Sequence, residues 1–226
     1  MFNIRRSPLR MVLLAAAISI LTATGSPSAD MNALRKRAEA GDAKAQFDIG
    51  SIYEQGYGVK RDYAEAARWY RKAAEGGDAR AQYNLGIFYQ NGWGVLRNDT
   101  EAVKWYRKAA SQGLAASQYN LGSMYLNAWG VPKNHAEAAK WYRKAAEQGD
   151  VDAQCILGLA YYLGEWVPKD LVQSYFWFGL AASRGPGEQC RQAPEAKARI
   201  AQELTPENLK KAQAMVRDWE RSHPGK

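Results

Sequence analysis

The hexapeptide Trp-Tyr-Arg-Lys-Ala-Ala stands at residues 69–74, again at 105–110 and a third time at 141–146, a spacing of 36 residues each time. Catalysis needs one constellation of groups, whereas a stack of similar layers needs the same packing residues once per layer. A fixed period therefore constrains this chain more than any single motif does. Displacing the sequence against itself by 36 residues aligns Gly41, Gly77, Gly113 and Gly149, and likewise Gln46, Gln82, Gln118 and Gln154. It also aligns Gly50, Gly86, Gly122 and Gly158; Tyr53, Tyr89, Tyr125 and Tyr161; Val59, Val95, Val131 and Val167; and Trp69, Trp105, Trp141 and Trp177. No insertion is needed, which gives four units at residues 41–76, 77–112, 113–148 and 149–184.

Within a unit the apolar period is helical. Ala45, Ile49, Gly50 and Tyr53 share one face of a first helix, predicted over residues 43–55. Gly56 and Gly58 end it, because glycine enters the left-handed backbone region without a Cβ clash. The second helix opens on a capping residue with a glutamate three positions on: Asp62 with Glu65, Asn98 with Glu101, Asn134 with Glu137. This is the pattern of a capping box. Ala66, Trp69, Tyr70 and Ala73 then form its buried stripe, and the small residues Ala45, Gly50, Ala66 and Ala73 allow the helices to approach closely. Each hairpin retains apolar surface that only a neighbouring repeat can cover.

The stretch from Tyr83 to Ala110, YNLGIFYQNGWGVLRNDTEAVKWYRKAA, resembles the Sel-one-like repeat, a relative of the tetratricopeptide repeat. The likeness rests on the LG-x-x-Y, G-x-GV and WY-x-KAA elements and covers residues 41–184. It implies an all-α fold, a right-handed α/α superhelical solenoid of four helical-hairpin repeats. It also implies a scaffold or adaptor that works by protein–protein interaction. The ends depart from the repeat. Residues 30–40 resemble the stub of a second helix. In unit four Tyr175–Ala182, YFWFGLAA, replaces the charged version, and Cys155, Ile156, Leu159, Tyr162 and Leu163 make its first helix apolar. Residues 185–226, with helices expected over 193–204 and from Thr205-Pro206-Glu207 to about 222, are expected to cover that surface as a C-terminal cap.

Residues 1–29 are expected to be a cleaved signal peptide. Arg5, Arg6 and Arg10 precede the apolar run 11–21, and small residues follow, with a cut after Ala29 favoured over one after Gly25. The run is too short for a comfortable membrane span. Export implies a periplasmic or secreted protein. Of the formal net charge of +8, three charges belong to the leader, leaving +5 on the rest. A modestly basic protein outside the cytoplasm is not expected to meet nucleic acid. Cys155 and Cys190 are one residue off the 36-residue register, and the expectation stays open between a bridge and two free thiols.

Only His135 and His223 are histidines, and no metal-ligand spacing, GxSxG or phosphate-cradling loop is found. The chain is expected to be non-enzymatic and monomeric, with no cofactor and no metal site. A weak β-lactam or cell-wall hydrolase, as described for cysteine-rich secreted relatives, is the opposing class; Ser-x-x-Lys, Ser-Asp-Asn and Lys-Thr-Gly are all lacking. Three surfaces compete for a partner. The pairs Arg71-Lys72, Arg107-Lys108 and Arg143-Lys144 form either a basic stripe for an anion or, as favoured here, the solvated face of the second helix. The first helix offers Phe47, Asp48, Tyr83, Asn84, Asn91, Tyr119, Asn120 and Asn127 on the side opposite 45, 49 and 53. Amides pair with peptide backbone and rings cover side chains, so this is the expected groove for an extended peptide; packing between first helices is the competing role. Tyr57, Trp93 and Trp129 form a row of rim aromatics, read either as inter-repeat stacking or as a contact for a partner. The expected function is an exported scaffold that regulates or assembles an envelope component.

Overall fold

Caps and glycine stops at a constant interval cut the four repeats into helices of equal length. The computed structural model describes residues 27–184 and 190–224, and among them all regular structure is helical. Helix α1 (Pro27–Glu39) precedes four pairs: α2 (Ala43–Gln55) with α3 (Tyr63–Glu75), α4 (Ala79–Asn91) with α5 (Asp99–Ser111), α6 (Ala115–Asn127) with α7 (His135–Glu147), and α8 (Val151–Leu163) with α9 (Leu171–Ser183). Helices α10 (Ala193–Glu203) and α11 (Pro206–Ser222) follow. The fold is of the α/α class, with hairpins stacked repeat on repeat. The chain divides into two compact units, Met1–Ser117 and Gln118–Lys226, with the division inside α6. Of the expected leader, residues 1–26 lie outside the described residues; α1 starts at Pro27.

In the first unit each residue of the hexapeptide has an assignment. The Tyr70 ring is buried against Gly50, where a Cβ would come within 2.7 Å of it; at Gly86 the clash with Tyr106 would be 2.6 Å. These glycines exist so that the tyrosine can lie flat on the first helix. Trp69 packs on Ala45, Ile49 and Leu34, and Lys72 rests its ammonium 4.3 Å above the indole. Arg71 donates to the Tyr89 hydroxyl of the next repeat, as Arg35 on α1 does to Tyr53 (3.0 Å). Ala73 and Ala74 are buried, and the Ala74 carbonyl accepts from Gln82 Nε2 at 3.0 Å, matching Gln46 to Ala38 on the preceding layer (2.9 Å). A buried amide satisfying an otherwise orphaned helix-terminal carbonyl fixes the register of one layer on the next. Through Arg35 and the Ala38 carbonyl, α1 makes toward the first repeat the two contacts that α3 makes toward the second.

The capping-box expectation needs correction. The side chains of Asp62 and Asn98 do accept from backbone N–H groups of the first turn, as do Asn134 and Asp170 in the second unit. The reciprocal glutamate bond is not made. The N–H of Asp62 donates instead to the Tyr53 carbonyl at 2.9 Å, and that of Asn98 to Tyr89 at 2.8 Å. Glu65 and Glu101 are therefore released to pair with Arg68 and Lys104 one turn on. First helices carry caps too, Asp42, Asp78 and Asp150, a recurrence at the same 36-residue interval within the first pair.

The second unit repeats this arrangement and then changes it. Tyr142 lies over Gly122, Arg143 donates to the Tyr161 hydroxyl, and Gln154 Nε2 reaches the Ala146 carbonyl at 3.0 Å. In repeat four the tyrosine becomes Phe178 over Gly158, and the arginine and lysine become Gly179 and Leu180. The reason is the cap. Val216 of α11 stands where a Cβ on residue 179 would meet its Cγ2 at 2.7 Å, and Leu180, Ile200, Ala212 and Val216 share one buried cluster. Cys155 on α8 is bridged to Cys190 with Cα atoms 5.9 Å apart, and Tyr162 donates to Glu203 at 2.8 Å. The apolar face of unit four is covered by the C-terminal helices, as its composition required. Among the described residues no helix is long and apolar enough to cross a membrane.

Candidate functional site

The first-helix residues expected to line a groove divide by burial. In the first unit Phe47 is buried, its ring 5.5 Å from that of Tyr70, with the Arg80 guanidinium 4.2 Å over its other face. Tyr83 is only 1% exposed and lies 6.0 Å from Tyr106. Asn84 is buried and bonds through its side chain to the Tyr70 hydroxyl, which Ser51 also reaches. In the second unit Asn120 is buried and Tyr119 is half-buried, edge-on to Tyr142 at 5.5 Å. The expectation that these positions lie opposite the packed face is thereby corrected for Phe47, Tyr83, Asn84 and Asn120. A first helix is held by its own second helix on one side and by neighbouring repeats on others, so its packed arc is wider than positions 45, 49 and 53.

Asp48 and Asn91 in the first unit, and Tyr119 and Asn127 in the second, retain solvent contact. The two asparagines Asn91 and Asn127 each donate Nδ2 to the carbonyl one turn back, Ile87 at 3.0 Å and Ser123 at 2.8 Å. That bond fixes the amide plane, so each Oδ1 is held in one direction on the helix end. Burial pushes the Asp48 carboxyl above the usual range, with Arg80 and Lys44 acting in the opposite sense.

A residue that the periodic reading missed is Glu54. It is buried, accepts from the Tyr70 hydroxyl at 2.5 Å, and burial raises its carboxyl pKa. Burial, then the neighbouring Glu54 charge, holds the Tyr70 phenol well above its ordinary value. The signal was a break in the repeat: the same position holds Gln90, Leu126 and Tyr162 in the other units. In the second repeat Gln90 accepts from Tyr106 at 2.8 Å, a neutral version of the same bond.

The rim aromatics are not one surface. Tyr57 is exposed, whereas Trp93 stacks on Tyr63 at 5.5 Å and meets Phe88 edge-on, and Trp129 is half-buried. Arg71 and Arg143 each donate to a tyrosine hydroxyl of the next layer, and Lys72, Lys108 and Lys144 each lie over the tryptophan of their own helix. Among the described residues no group of three or more His, Cys, Asp or Glu side chains could hold a metal ion. What the exposed first-helix residues can do chemically is hydrogen-bond and screen charge.

Four copies of the Sel1 repeat match the chain, at residues 43–78, 79–114, 115–150 and 151–186, the same period drawn two residues later than the glycine register. A protective antigen present in uropathogenic Escherichia coli strains, displaying an SLR fold, is 35% identical with a TM-score of 0.76; the match covers 91% of this chain and 44% of that one. The chain thus spans less than half the length of that protein. A Sel1 repeat protein from Oxalobacter formigenes is 33% identical with a TM-score of 0.72, covering 92% of this chain and 84% of that chain. No curated protein matches the chain.

Proposed function

The chain belongs to the Sel1 repeat family, and from that premise we propose that it is an exported, non-enzymatic scaffold that binds a protein partner and regulates or assembles an envelope component. Sel1 repeats commonly mediate protein–protein interaction. The observation that carries the reading is the division of labour within the repeat. The side chains that recur, namely the tyrosine on glycine, the arginine to tyrosine, the lysine on tryptophan and the glutamine to carbonyl, are all occupied by the frame. The positions that change somewhere along the four repeats and keep solvent contact, at Asp48, Asn91, Tyr119 and Asn127, are the ones assigned here to recognition. Amide and carboxylate groups on helix faces suit an extended peptide, whose backbone offers both donors and acceptors. The Cys155–Cys190 bridge supports an oxidising compartment, since structural disulfides persist outside the cytoplasm. A cut after Gly25 leaves α1 entire, whereas one after Ala29 removes its first residues.

Site-specific photocrosslinking in the cell tests this. A photoreactive residue at position 48 or 91 should capture one envelope protein, and one at position 72 should not. Capture from position 72 alone, or full-length chain in the cytosol, would reject the reading. Positions 84 and 120 are unsuited to the probe because their side chains are buried.

A further inference from the structure

The Arg-to-Tyr contact seen at Arg71 in the first unit and Arg143 in the second has no successor in the fourth repeat. Arg143 reaches Tyr161, but one period further the sequence has Gly179 in place of the arginine and Lys197 in place of the tyrosine. A cavity of about 390 Å³ lies there, between α9, α10 and α11 within the second unit. Its apolar wall is Val216, Ala182, Gly179 and the buried ring of Tyr175. Its polar rim carries Lys197, Arg217, Ser183, Gln213 and one acid, Glu220. The Lys197 ammonium sits 5.4 Å over the Tyr175 ring. Neither Lys197 nor Arg217 is in an ion pair with another described residue, although Arg199 and Arg221 on the same two helices are paired with Glu203 and Asp218.

We propose that this cavity binds a monoanionic carboxylate attached to a short apolar group, with Lys197 and Arg217 on the carboxylate and Val216, Ala182 and Tyr175 around the hydrocarbon. Arginine and lysine donors suit a planar carboxylate, and the volume falls at the small end of ligand pockets. Glu220 lowers the net charge of the rim to +1, and its carboxylate repels any anion that enters. This site is separate from the first-helix surface and stands or falls independently of it.

A peptide C-terminus and a free short-chain acid share this chemistry, and titration calorimetry on the whole mature chain distinguishes them. The probes are acetyl-Gly-Gly-Val with a free carboxylate, the same peptide amidated, and sodium isovalerate. The free peptide should bind saturably, with amidation weakening it by about tenfold, the scale of one lost charge-assisted pair. Isovalerate binding as tightly as the peptide assigns the site to free acids; weaker binding assigns it to peptide termini. Lys197→Gln with Arg217→Gln should abolish binding with unchanged circular dichroism, and Glu220→Gln should tighten it severalfold. No saturable heat with either carboxylate, equal binding of the amide, or no effect of the double substitution would overturn the proposal.

Discussion

Ala128 offers a test of whether every first helix ends in one geometry. Gly56, Gly92 and Gly164 close α2, α4 and α8 in the left-handed region at φ of 75°, 73° and 70°. The third repeat has alanine there, and Ala128 is the one non-glycine residue of positive φ among the described residues, at 56°. The following N–H, that of Trp129, still bonds to the Met124 carbonyl at 3.0 Å, the bond that Trp93 makes to Phe88. Alanine in this region carries about 1–2 kcal/mol of strain between Cβ and the carbonyl. Glycine would remove it but gain roughly 0.5–1 kcal/mol of freedom in the unfolded chain. Ala128→Gly should therefore stabilise the protein by about 0.5–1 kcal/mol. At roughly 2–4 °C per kcal/mol for a chain of this size, the melting temperature rises by about 1–4 °C. The converse, Gly92→Ala, adds a Cβ at 3.4 Å from Arg97 Cβ, so packing tolerates it and the backbone term decides. It should lower stability by a similar amount. Thermal unfolding followed by far-ultraviolet circular dichroism at matched pH measures both. A fall in melting temperature for Ala128→Gly would mean that the third repeat ends in ordinary helical geometry and that the shared-turn argument is wrong.

Gly86→Ala should be far costlier than Gly92→Ala, because the new Cβ lies 2.6 Å from the Tyr106 ring; overpacking of this kind destabilises by about 1–3 kcal/mol in a urea melt. Reduction of Cys155–Cys190, which closes a span of 35 residues, should lower stability by about 3–4 kcal/mol, and intact mass with alkylation should find no free thiol before reduction. Glu54 has its pKa raised in the folded state, so its contribution favours folding at pH below the ordinary carboxyl range and is lost as pH rises through the elevated folded value. Glu54→Gln, which keeps an acceptor for Tyr70 as Gln90 does for Tyr106, should therefore raise the melting temperature at pH 7 relative to its effect at pH 4. An equal effect at both values would remove burial as the cause.

The frame was legible because it is periodic. One period marks Gly50 as a point of close helix approach and places the second-helix caps, whereas the tyrosine lying on that glycine and the interlayer bonds of Arg71 and Arg143, in place of a merely solvated face, come from the packing. The candidate surface was less legible. A helical wheel assigns faces from one helix alone, whereas Phe47, Tyr83, Asn84 and Asn120 are enclosed by residues of other helices. Whether the glutamate of a capping box reaches back depends on a competing carbonyl, here those of Tyr53 and Tyr89, which no local pattern contains. Glu54 was legible as a break in the repeat, yet its bond to Tyr70 follows only from the approach of α2 and α3.

The division between recurring frame and variable surface is the central claim, and paired measurements of melting temperature and affinity for the crosslinked partner test it most directly. Asp48→Ala with Asn91→Ala alters solvent-facing residues, whereas Arg71→Ala with Arg143→Ala removes two interlayer bonds. The first pair should weaken binding by about tenfold or more with the melting temperature almost unchanged. The second should lower stability by about 1–3 kcal/mol, at roughly 0.5–1.5 kcal/mol per bond, and leave affinity intact. The reverse result, binding lost with the arginines and stability lost with Asp48 and Asn91, would contradict the account.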